Sequence, residues 1–132
     1  MVELEGATGA PTETLLVQTV DYFPPVVDDP RAYGRIAAAN ALSDVYAMGG
    51  HAWSALNLAG FPRDFSDEWI GEILAGGFTA MEEAGCIVAG GHTTQSEECL
   101  FGFAVTGMVE RQRLVTNAGA KAGDALYITK PL

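Results

Sequence analysis

The sequence predicts an α+β fold, a mixed and largely antiparallel sheet with helices packed on one face. Three observations carry this prediction. Two helical stretches each stand between β-branched or aromatic runs, the pattern of crossover connections. The C-terminal half then places strand-like runs one after another with only turns between them. Finally, 48% of the 132 residues are apolar, enough to bury a core between two layers.

Leu15 to Phe23, "LLVQTVDYF", is β-branched and aromatic and reads as a strand stopped by Pro24-Pro25. Asp29 followed by Pro30 reads as an N-cap with proline at the first helical position. That helix is expected to reach about Met48 and to end at Gly49-Gly50. Ala52 to Leu58 alternates weakly and predicts a second strand. Ser66, with Asp67 and Glu68 behind it, opens a second helix whose inner face is Ile70, Ile73, Leu74, Gly77 and Met81. Gly85 closes it. Cys86 to Ala89 predicts a short buried strand leading into the loop "GGHTTQSEE". Leu100 to Val109 predicts a longer strand whose internal glycines signal close backbone approach or a bulge. "NAGAKAGD" reads as a turn, and Ala125 to Thr129 as a last strand.

Composition narrows the function. Seventeen acidic against 7 basic residues give a net charge of −10, which argues against nucleic acid or an anionic membrane as partner. No run approaches the ~18 apolar residues of a membrane helix, and no secretory signal opens the chain. A cytoplasmic protein is the expectation. A phosphate-bearing ligand would have to be held through metal ions or backbone N–H groups. Cys86 and Cys99 fit neither a redox pair nor a zinc pattern. Cys86 reads as a buried thiol, and Cys99 as an incidental cysteine in a polar loop. His51 reads as a surface residue.

Three places could carry chemistry. In "AANALSDVYAMGG", Asn40 and Asp44 lie one helical turn apart and share a face. They are either an exposed polar pair or part of a magnesium site, since magnesium takes one or two carboxylates plus phosphates and water. Asp21, near the end of the first strand, is either a turn former or a site acid. "AGGHTT", Ala89 to Thr94, is either a tight turn or an anion-binding nest with Thr93, Thr94 and His92 as added donors. It is not a P-loop, since no Gly-Lys-Ser/Thr follows.

Taken together, "TVDYFPPVVDDPRAYGRIAAANALSDVYAMGG", "AGGHT", "FGFAVTG" and "TNAGAKAGD…TKPL" resemble the selenophosphate synthetase (selenide, water dikinase) family. That family belongs to the aminoimidazole ribonucleotide synthetase superfamily, and the resemblance runs from about Leu16 to Leu132. It implies ATP- and Mg2+-dependent conversion of selenide and water to selenophosphate, AMP and phosphate. It further implies that Asp44 binds magnesium and contacts ATP, that Asp21 binds ATP, and that Asn40 supports Asp44 or a phosphate. Gly91, His92 and Thr93 would form a nucleotide-binding segment that reaches ATP across a homodimer interface, where the two sheets join in a barrel-like core.

The departures are specific. The family's reactive Cys or selenocysteine, its lysine and an acidic motif match nothing in this sequence, so no catalytic residue is assigned. Gln95 stands where relatives often have Asp. Residues 1–132 therefore read as an N-terminal ATP-binding domain, shortened at its start and lacking a C-terminal domain, and expected to make no selenophosphate alone. Two other functions fit the motifs: a different kinase or synthetase of the superfamily, such as a thiamine-monophosphate kinase-like enzyme, or a non-catalytic nucleotide-binding dimerisation module.

Overall fold

The computed structural model describes residues 2–5 and 11–128. Five strands form one sheet in the order β1-β2-β5-β3-β4. They are β1 (Val2–Glu5), β2 (Pro11–Phe23), β3 (His51–Phe61), β4 (Ile87–Gln95) and β5 (Leu100–Glu110). Helices α1 (Pro30–Ala47) and α2 (Asp67–Glu83) supply the second layer. Every pairing is antiparallel except β3 with β4, which the α2 crossover makes parallel. The predicted class is therefore the observed one.

Both helix starts follow from their caps. Asp29 accepts from the Ala32 amide at 2.6 Å ahead of Pro30, and Ser66 accepts from the Trp69 amide at 3.4 Å. Gly49 at φ +76° and Gly85 at φ +67° take the left-handed conformation that ends each helix.

One face of the sheet is the core. Leu15 and Val17 of β2, with Phe101, Phe103, Val105 and Val109 of β5, meet Ala37, Ala38, Ala41 and Val45 of α1. Phe101 and Phe103 pack edge to face at 5.2 Å, and Tyr33 lies edge-on to Phe101 at 6.3 Å. Burying each of these large side chains contributes roughly 1.5–3 kcal/mol. Small residues set how closely the layers approach. A Cβ on Gly34 would lie 2.0 Å from the Ile73 carbonyl oxygen, and one on Gly107 would lie 2.3 Å from Val45 Cγ1. The close approach expected of the β5 glycines is thus real, and it seats the last turn of α1.

Four expectations are corrected. "AGGHTT" is no loop: β4 runs on through it to Gln95, paired along its length with β3. In an extended strand successive N–H groups point to opposite edges, so no nest forms. β4 is also not buried, since Ile87 is 64% exposed and Gly90 to Thr94 are all exposed. The expected strand at Ala125 to Thr129 is not formed over residues 125–128, where Leu126 and Tyr127 have nothing to pack on and stand open to solvent. Thr129 lies outside the described residues. Cys99 is not in an exposed polar loop; it is buried at the start of β5. The short strand β1 is an addition.

Candidate functional site

The polar edge of α1 borders β2. Side chains alternate along β2, so Thr19, Asp21 and Phe23 share the helix-facing side with Leu15 and Val17. The helix runs back along this strand, and two contacts pin it there. Thr19 Oγ1 donates to Asp44 Oδ2 at 2.6 Å, and the Tyr33 hydroxyl donates to the Phe23 carbonyl oxygen. Between these anchors the strand advances roughly 13 Å and the helix roughly 16 Å in the opposite sense. By their positions on the strand and the helix, Asp21 and Asn40 both fall between these anchors, along the cleft where α1 meets β2.

That cleft is open. Asp44 and Asn40 are exposed, and Thr19 and Asp21 are half-buried. The Ser43 hydroxyl donates to the Asn40 backbone carbonyl oxygen at 2.7 Å. Every donor atom offered is a carboxylate, hydroxyl or amide oxygen, the hard set that magnesium takes. Among the described residues no three His, Cys, Asp or Glu side chains converge into a metal cage. This donor set suits a cation that phosphate and water help to coordinate. The fit is that of a partial site.

Gly91, His92 and Thr93 are not part of this cleft within one chain. They lie on β4, three strand spacings from β2, about 14 Å away at the usual spacing. A Cβ at Gly91 would lie 2.3 Å from the Asn57 carbonyl oxygen and 2.6 Å from its Oδ1, so β3 leaves room for glycine alone. Asn57 is itself buried at 8% exposure, and its Nδ2 has no hydrogen-bond partner among the described residues. Neither Asn57 nor Thr19 was marked by the sequence. Thr19 is one more β-branched residue in a strand, and Asn57 sits in an otherwise apolar run.

The thiols take no part. Burial pushes Cys86 and Cys99 up from the ordinary cysteine range, which suppresses the reactive thiolate. Burial, then the neighbouring Cys99, raises the Tyr33 phenol well above its ordinary value. His51 is exposed, as expected. On the outer helix surface Arg35 grips Glu83 at 2.7 and 3.0 Å, and the hydrogen bond from Arg35 lowers the Glu83 carboxyl.

A family model described as "AIR synthase related protein, N-terminal domain" matches residues 5–109. The selenide, water dikinase of Myxococcus xanthus is 55% identical over 117 residues, covering 89% of this chain and 33% of that protein. The selenide, water dikinase of Trichlorobacter lovleyi is 50% identical over 121 residues, covering 91% of this chain and 35% of that protein. The chain thus spans about a third of the length of these curated relatives. Among solved structures, "AaThiL complexed with AMPPCP and TMP" superposes with a TM-score of 0.76 at 29% identity, covering 83% of this chain and 36% of that one. No helix among the described residues is long and apolar enough to cross a membrane. The chain belongs to the AIR synthase related family and carries that family's N-terminal domain.

Proposed function

We propose that this chain is the ATP-binding N-terminal domain of an enzyme that makes selenophosphate from selenide, ATP and water, releasing AMP and phosphate. The observation that carries the reading is the oxygen-lined cleft between α1 and β2, in a chain half identical to selenide, water dikinases. In this reading Asp44 holds the magnesium ion, Asp21 and Asn40 face the nucleotide, and the reactive Cys or selenocysteine and the lysine lie outside these 132 residues. Bound magnesium would neutralise polyphosphate charge beside a chain of net charge −10. The protein's own part is to hold Asp44 still and to keep the polyphosphate aligned along the helix face.

The same reading makes the molecule a cytoplasmic homodimer. Val20, Tyr22 and Leu56 lie on the sheet face away from the helices and are 49–56% exposed. A second sheet would cover them, and in this reading Gly91, His92 and Thr93 of that copy reach the nucleotide across the interface. The structural likeness to a kinase bound to AMPPCP supports a nucleotide there. The rival acceptor, thiamine monophosphate, is separated by testing it against selenide in the enzyme that contains this domain.

Calorimetry with Mg-ATP on the purified chain tests the cleft. Asp44→Ala is expected to weaken binding by about tenfold or more, because phosphates would then face an acidic surface without their cation. His51→Ala is expected to bind as the parent does. Equal affinities for the two variants would remove Asp44 from the site.

A further inference from the structure

Asp44 is an exposed carboxylate on a helix surface, and such a side chain ordinarily samples several rotamers. Here it does not stand free. Thr19, twenty-five residues earlier, donates its hydroxyl to Oδ2 at 2.6 Å, a distance typical of a charge-assisted bond to an ionised acceptor. The donor is itself rigid. Thr19 lies within β2, in register with Val105 of β5, and its β-branched side chain is stiff at χ1. Among the described residues the bond engages one carboxylate oxygen of Asp44 and leaves Oδ1 without a partner.

We infer that Thr19 is the positioning residue for Asp44: by holding Oδ2 it fixes the carboxylate in one rotamer and keeps Oδ1 available to a divalent cation on the nucleotide phosphates. The inference rests on Asp44 being a metal ligand, as proposed above. Its physical content is pre-organisation, since a carboxylate already held by a strand loses less freedom when the cation arrives. The residue supplies no electrons to the reaction and acts wholly through Asp44.

Two measurements test it. In the metal-free chain, the χ1 scalar couplings of Asp44 are expected to report one rotamer in the parent and in Thr19→Ser, and averaging in Thr19→Val. Calorimetry with Mg-ATP is expected to show Thr19→Val binding about five- to tenfold weaker and Thr19→Ser within about twofold, because serine keeps the donor and valine keeps only the shape. Thermal melting of all three shows whether the fold is shared. The double variant Thr19→Val/Asp44→Asn is expected to bind no more weakly than Asp44→Asn alone, which a general loss of packing would not produce. Parent-like binding by Thr19→Val alongside weak binding by Asp44→Asn would overturn the role of Thr19 and leave Asp44 in the site. Parent-like binding by Asp44→Asn would overturn both.

Discussion

Tyr33 shows how one side chain serves both stability and the site. Its ring fills the core against Phe101, while its hydroxyl satisfies the Phe23 carbonyl and so ties the start of α1 to the end of β2. Burial raises its ionisation well above the ordinary value, and burial raises Cys99 beside it. The sign follows from linkage: a folded-state pKa above the unfolded one contributes stability that is complete below the unfolded value and is lost as pH rises through the folded one. For cysteine and tyrosine the unfolded values are about 8.5 and 10, so the melting temperature is expected to be level near pH 7 and to fall from about pH 8.5 upward. Tyr33→Phe removes the tyrosine share of that alkaline slope. It also leaves the Phe23 carbonyl unpaired, at a cost of about 1–3 kcal/mol. Melting curves of the two proteins between pH 7 and 11 check both effects, and an identical alkaline slope in the variant would contradict the assignment.

Among the elements, the seating of α1 on β5 decides where Asp44 stands. Gly107 gives Val45 its place, and Asp44 is the next residue along the helix. Gly107→Ala is expected to lift the last turn, costing about 1–3 kcal/mol in urea unfolding and weakening Mg-ATP binding as Asp44 leaves Thr19. A variant that loses stability yet binds normally would show that the last turn of α1 does not set the site. Both helices were legible in the sequence because their caps are local: Asp29-Pro30, Ser66, Gly49 and Gly85 each act within a few residues. The Asn40–Asp44 pair was legible for the same reason, as a spacing on one helix. β4 was not, because pairing with β3 overrides the turn signal of Gly90-Gly91, and that pairing joins residues more than thirty positions apart. Thr19 was missed likewise, since its importance lies in a contact across the fold. The last expected strand failed for the converse reason: Leu126 to Ile128 have strand composition, yet among the described residues they pair with no strand.

For the molecule as a whole, one sheet would serve two nucleotide sites in the proposed homodimer. Thr19, Asp21, Asn40 and Asp44 lie where α1 meets β2, and β4 with Gly91, His92 and Thr93 stands three strands away in the same copy. The open sheet face, with Val20, Tyr22 and Leu56, is the surface on which a second copy would close. In the proposed reading the site is a shared one, and sharing has a distinctive consequence. Asp44→Ala damages the cleft, whereas Thr93→Val keeps the strand shape and damages only the contribution from β4. Each variant alone is expected to bind Mg-ATP weakly. In an equimolar mixture with exchanging subunits, half the dimers are mixed and one of their two sites is intact, so about a quarter of all sites should regain parent affinity. The measurement is a calorimetric titration of that mixture with Mg-ATP. Recovery of tight binding at about a quarter of a nucleotide per chain is the predicted result. A mixture of folded, exchanging variants that binds no better than either alone would contradict a site built between two copies.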